Sequence, residues 1–188
     1  GRFSDCFWNY GAFGADDFNI AYPDAGATYW AAGFRRPPGS TLTLRGRYPH
    51  ARYMGLQTYD LAGRGVDALA DYQIDPLAGS TNPFRRGADR DAHKRRFRVD
   101  VIDAKNPGYP LEAYAGEQAR NDIYVVPDAG PMTETVGGES YELNLLMLRV
   151  YVPDRGTDLT GGVGLPKPIL TLADGTVLEG QALCDVLD

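Results

Sequence analysis

Residues 41–60, TLTLRGRYPHARYMGLQTYD, decide the predicted fold. At 41–48 the apolar Leu42 and Leu44 alternate with Thr and Arg, and a similar alternation resumes at 51–60. A period of two is what a half-buried β-strand requires. The short break between them, at Pro49-His50, predicts that the two strands are antiparallel neighbours.

Further strands are expected along the rest of the chain. The same reading predicts them at 28–35, 71–75, 95–103, 123–126, 141–152, 169–172 and 176–178. Turn signals separate these segments, Asp174-Gly175 is a hairpin signal, and 181–187 predicts a short terminal helix. No strand–helix alternation is present, so the pattern predicts an all-β, two-sheet antiparallel sandwich or jelly roll with about eight strands.

The length of 188 residues fits one domain better than two. Residues 1–27 carry aromatic residues without a clean period, including Phe7 and Trp8. We therefore expect an N-terminal arm over 1–27, packed on or extending from a β-sandwich domain over 28–188.

The net charge of −6 makes nucleic acid an unfavourable partner, because an acidic chain lacks the field that attracts phosphate backbones. No apolar stretch reaches the roughly 20 residues of a transmembrane helix. The partners that remain are a protein or a glycan, and the sequence does not fix the oligomeric state.

The two cysteines, Cys6 and Cys184, lie near opposite ends of the chain. Two interpretations stay open: buried free thiols, or a disulfide that joins the termini, which lie close together in many domains. A disulfide would require an oxidising compartment. On that interpretation the protein is extracellular or periplasmic.

Tyrosines, arginines and one histidine on the central strands form a candidate binding surface. Aromatic and arginine side chains are good anchors for sugars and for proteins. The candidate residues are Tyr29, Arg45, Arg47, His50, Arg52, Tyr53 and Tyr59. The neighbouring cations should oppose protonation of the histidine.

The run from Arg85 to Arg98 is the one basic concentration in this acidic chain. One interpretation is a solvated loop and strand edge. The alternative is a dock for an acidic partner, anionic lipid head groups or a polyanionic glycan.

Asp154 and Asp158 flank a glycine-rich loop and are a weak calcium candidate, since calcium prefers oxygen ligands; turn formation also explains them. We expect no other cofactor.

No catalytic residue can be assigned. None of the four serines lies in a Gly-x-Ser-x-Gly elbow. The sequence therefore favours an exported, non-catalytic binding or assembly module, such as an accessory subunit of a larger envelope complex. The alternative is a carboxylate-dependent enzyme that acts on a glycan or lipid, with Asp60 and His50 as residues to test.

Several segments together resemble a known family of bacterial secreted proteins. They are 29–30 (YW), 45–54 (RGRYPHARYM), 79–84 (GSTNPF), 149–154 (RVYVPD) and 160–166 (TGGVGLP). The family is catalogued as domain of unknown function twelve-fourteen, and the resemblance is distant. It implies a β-sandwich in an exported protein and carries over no catalytic residue.

Overall fold

The computed structural model describes residues 6–14, 25–60, 63–104, 119–125, 133–136, 139–142 and 144–187. They form twelve strands, a 3-10 turn and one helix. The strands are β1 (Tyr10–Phe13), β2 (Ala27–Phe34), β3 (Thr41–Arg47), β4 (Ala51–Tyr59), β5 (Gly65–Ala70), β6 (Arg96–Asp103), β7 (Asp122–Val125), β8 (Thr133–Val136), β9 (Glu139–Glu142), β10 (Asn144–Pro153), β11 (Lys167–Thr171) and β12 (Val177–Leu178). The 3-10 turn is Asp71–Gln73, and helix α1 is Gly180–Leu187.

Ten of these strands make two five-stranded sheets, which confirms the predicted all-β, two-sheet class. Sheet A has the order β1-β2-β10-β4-β5, and sheet B has the order β12-β11-β3-β6-β7. Strands β8 and β9 pair separately as an antiparallel hairpin. All pairs in the two large sheets are antiparallel except β6 with β7, which is parallel.

The core lies between the inner faces of the two sheets. Alternate side chains of β3 and β6 are fully buried, as the period of two requires, among them Leu42, Leu44 and Val99. Gly46 lies opposite Phe97, and a Cβ at Gly46 would stand 2.5 Å from the Phe97 ring. The phenyl ring therefore needs a glycine at this point of β3.

The described part of residues 1–27 packs on the sheets. Strand β1 pairs with β2, and the Trp8 side chain is fully buried. The Trp8 indole Nε1 donates a hydrogen bond to the Pro166 carbonyl oxygen at 2.7 Å. The predicted terminal helix is confirmed as α1, and Cys184 on this helix lies beside Cys6, with their Cα atoms 5.8 Å apart. Such a separation is typical of a disulfide.

Two details differ from the sequence-based expectation. Strands β3 and β4 are not paired neighbours, because the break at 48–50 carries the chain from sheet B to sheet A. The predicted strand at 71–75 is a 3-10 turn, and the strand lies at Gly65–Ala70 instead. The Asp71 carboxylate accepts the backbone amides of Met54 and Tyr72, and such local side-chain bonds compete with strand pairing.

Candidate functional site: a basic sheet face

The structure divides the seven predicted surface residues between two sheets. Tyr29 on β2 and Tyr53 and Tyr59 on β4 lie on the outer face of sheet A, by the alternation of those strands. Arg45 and Arg47 lie on the outer face of sheet B. The remaining two are His50, in the connection between the sheets, and Arg52, exposed at the start of β4.

Positive charge is concentrated on the outer face of sheet B. Lys167 on β11 pairs in register with Arg45 on β3, and Arg45 pairs with Arg98 on β6. One alternation further along the strands, Arg47 pairs with Arg96. Directly opposed residues share a face with Cβ atoms roughly 4.5–5.5 Å apart. We call this surface the basic face; its members are Lys167, Arg45, Arg98, Arg47 and Arg96.

Few carboxylates neutralise these side chains. Asp100, on the same face, pairs with Arg98 at 3.1 Å. Within the described part of the chain, Lys167, Arg45, Arg47 and Arg96 form no ion pair with a carboxylate. Like charges directly opposite each other destabilise a sheet by roughly 0.2–1 kcal/mol. The fold thus tolerates an electrostatic cost that an anionic ligand would relieve.

A cavity of about 560 Å³ opens at the Arg47–Arg96 end of the basic face. Its lining includes these two arginines with Lys94, His93 and Ser80. Its volume lies in the range of roughly 300–1,000 Å³ that is usual for ligand sites. Cationic groups around a recess focus field lines, which raises the local concentration of anions.

A second cavity, of about 700 Å³, lies at the Lys167–Arg45 end of the same face. Its lining combines those two cations with residues of helix α1, with the residue before that helix and with Cys6 of the N-terminal arm. The residues are Cys6, Arg45, Lys167, Pro168, Ile169, Glu179, Gly180, Gln181 and Cys184. The basic face therefore has a recess at each end.

His50 and Arg95 form a contact between the sheets. Arg95 is 1% exposed, and its Nη1 lies 2.8 Å from His50 Nδ1 and 2.7 Å from Nε2. Burial, followed by the Arg95 charge, lowers the pKa of His50. Burial, followed by the Arg47 charge, lowers the pKa of the Arg95 guanidinium. His50 is therefore a neutral acceptor here, and Arg95 adds a buried positive charge near the basic face.

Two of the predicted tyrosines, together with Tyr151, surround the guanidinium of Arg149. Arg149 on β10 lies between β2 and β4, and its Cζ is 5.8 Å from the Tyr29 ring centre, 5.6 Å from Tyr53 and 5.7 Å from Tyr151. These are cation–π distances. The Arg149 guanidinium thus covers ring faces that could otherwise stack on a sugar. The outer face of sheet A is therefore a weaker candidate binding surface than the basic face of sheet B.

The calcium candidates do not form a cluster. Asp158 Oδ1 accepts hydrogen bonds from the Thr160 hydroxyl at 2.6 Å and from the amides of Thr160 and Gly162. These bonds lower the pKa of Asp158 and explain it as a turn residue. Among the residues that the structure describes, no group of three or more His, Cys, Asp or Glu could hold a metal ion.

The buried carboxylates of the described residues are engaged inside the fold. Asp60 accepts both the backbone amide and the Nε of Arg64 at 2.9 Å. Asp67 accepts two bonds of 2.7 Å from Arg120. Asp71 accepts the two amides named above. Asp60 and His50 form no hydrogen bond with each other. Among the surfaces described, the basic face is the one whose chemistry suits a ligand, and that chemistry is the binding of anions.

The sequence indicated Arg45 and Arg47 as surface residues, and Arg96 and Arg98 as part of the basic run, but it did not predict that they lie side by side. Lys94 and Arg96 belong to the basic run, and the alternation of β6 around Phe97 was a signal that Arg96 and Arg98 share one face. Lys167 and Ser80 gave no comparable signal. Their positions depend on strand pairing across long sequence separations.

Comparisons with known proteins give one structural neighbour. No protein-family model matches the chain, and no curated protein matches its sequence. The crystal structure of an uncharacterised protein from Burkholderia cenocepacia is similar at a TM-score of 0.39 and 13% sequence identity, over 88% of this chain. The chain spans 35% of that protein's length. No helix among the described ranges is both long and apolar enough to cross a bilayer.

Proposed function

We propose that this chain is an exported, non-catalytic binding module whose basic face holds an anionic ligand. The observation that carries the proposal is the direct opposition of Arg47 and Arg96, without carboxylate partners among the described residues, at a cavity also lined by Lys94. The net charge of −6 means that general basicity of the chain does not account for this surface. A local arrangement of cations does.

Export is supported by the cysteine pair. Cys6 and Cys184 lie at disulfide distance, and disulfides persist in oxidising compartments. We therefore place the protein in the periplasm or outside the cell. The resemblance to the secreted family of domain of unknown function twelve-fourteen, and the assignment of the two-sheet fold to the jelly-roll type, are part of the same proposal.

The enzyme alternative has less support. Its carboxylate candidate, Asp60, is 2% exposed and bound by Arg64, while His50 contacts Arg95. A general acid or base must reach the proton that it transfers. Neither side chain lines the two cavities of the basic face. We therefore expect an anionic ligand to be bound and released without chemical change.

Retention on heparin-agarose tests the proposal. We expect the protein to be retained at low ionic strength and to elute as salt screens the charges. Arg47→Gln combined with Arg96→Gln should elute at clearly lower salt than the parent. The matched control, Arg52→Gln combined with Arg155→Gln, removes the same charge from exposed positions outside the cavity linings and should elute like the parent. Passage of the parent without retention, or equal loss in both variants, would refute the proposal.

A further inference from the structure

The two cavities lie at opposite ends of one continuous charged surface. The first cavity contains Arg47 and Arg96, and the second contains Arg45 and Lys167. Arg45 and Arg47 are two residues apart on β3, so their side chains point the same way. Arg45 and Arg47 are therefore direct neighbours on one sheet face, and they link the cations of the two recesses.

The spacing of these charges suits a polymer better than a single anion. Neighbouring strands lie about 4.8 Å apart, and alternate residues of a strand lie about 7 Å apart. Lys167 and Arg96 are separated by two strand spacings and one alternation, which gives about 12 Å. One phosphate or sulfate group contacts one end only. A chain with repeated acidic groups contacts both.

We infer that the basic face is a track for one linear acidic glycan chain, which crosses β6, β3 and β11 and enters both cavities. This inference rests on the proposed function and names its ligand class. The Ser80 hydroxyl in the first cavity and the Gln181 amide in the second are uncharged polar groups that can bind sugar hydroxyls. The Glu179 carboxylate in the second cavity can accept hydrogen bonds from such hydroxyls. The cations hold the acidic groups of the same chain.

A peptide is less suited to this surface. Extended peptides gain affinity mainly by adding a strand to a free sheet edge. Strand β3 is central, with β11 on one side and β6 on the other, so its backbone groups are already paired. A ligand on this face is held by side chains. A glycan presents all its hydrogen-bonding and acidic groups to side chains.

A membrane surface is also less suited. The cations are distributed between two recesses of about 560 Å³ and 700 Å³ at the two ends of the face. A lipid head-group plane contacts protruding side chains, whereas a single flexible chain can follow a path into a recess. The recessed arrangement therefore favours the glycan.

Titration calorimetry with oligogalacturonates, from the monomer to the decamer, tests the inference on the full chain. Affinity should rise with length until the oligomer spans about 12 Å and both recesses, and then level off. Lys167→Gln and Arg96→Gln should each weaken binding of the decamer about fivefold, the loss of one exposed charge contact. Arg155→Gln, at an exposed position outside both cavity linings, is the matched control and should leave the affinity unchanged. Circular dichroism checks that each variant is folded.

Other outcomes overturn the inference in distinguishable ways. Affinity that does not depend on length, or a Lys167→Gln variant that binds the decamer normally, would mean an anion pocket at Arg96 alone. Equal binding of poly-glutamate of matched length, or binding of phosphatidylglycerol vesicles without binding of oligomers, would identify a peptide or lipid ligand. In those cases the proposed function stands. Absence of binding to every polyanion at low salt defeats the proposed function itself.

Discussion

Removal of both cysteines should cost this protein a large part of its stability. Cys6 and Cys184 are separated by 178 positions, so a bond between them closes almost the whole chain. In the chain-entropy model a loop of that length lowers the entropy of the unfolded state by about 18 cal/mol/K, which is about 5 kcal/mol at 25 °C. Domains have total stabilities of about 5–15 kcal/mol. The variant Cys6→Ser with Cys184→Ser should therefore lose a third or more of its free energy of unfolding.

Guanidinium denaturation followed by tryptophan fluorescence measures this loss. Trp8 is two residues from Cys6 and buried, so its emission reports release of the arm. In reductant, the parent should have the same free energy of unfolding as the double serine variant. Without reductant, its free energy of unfolding should be about 5 kcal/mol higher. Mass spectrometry after alkylation of the unfolded, unreduced protein should find no modified thiol. Two alkylated thiols, or equal stability with and without reductant, would refute the argument and remove the support for export.

Three further changes test separate contacts. Arg96→Gln should raise the free energy of unfolding by roughly 0.2–1 kcal/mol, because it relieves a like-charge pair, and a decrease in denaturation experiments would contradict this. Trp8→Phe should lower that free energy by about 1–3 kcal/mol more than Trp30→Phe, since it leaves the Pro166 carbonyl without its indole donor; equal losses would show that the bond contributes nothing. The pKa of His50 is lowered in the folded state, so the unfolded chain binds the proton first as pH falls. The free energy of unfolding should therefore decrease as pH drops below about 6.5. His50→Gln should remove this dependence on pH, and a free energy of unfolding that increases over the same range would refute the argument.

Much of the fold could be predicted because local alternation carries it. The strands β2, β3, β4, β6 and β10 were expected close to their observed bounds, and the hairpin at Asp174-Gly175 is confirmed by the pairing of β11 with β12. Local patterns do not encode which strand pairs with which. The parallel contact of β6 with β7 and the separation of β3 from β4 are set by packing of distant segments.

The candidate site, like the fold, could be predicted from the sequence only in part, because strand pairing decides which residues lie together. The sequence presents residues 85–98 as one basic run, but the structure turns its members in different directions. Arg95, just before β6, is buried against His50, while Arg96 and Arg98 on β6 are exposed. Arg47 becomes a partner of Arg96 only through the register of β3 with β6. Because about fifty positions separate the two strands in the chain, composition alone does not reveal the pair.

Mapping of amide chemical shifts during titration with polygalacturonate tests the central claim most directly. The basic face predicts that the largest shifts fall on β3, β6 and β11, with Arg45, Arg47 and Lys167 among them, and that they vanish when salt screens the charges. The outer face of sheet A, around Tyr29 and Tyr53, should stay unchanged. Shifts confined to those tyrosines, or shifts that persist in high salt, would contradict a basic face that holds the ligand by its charges.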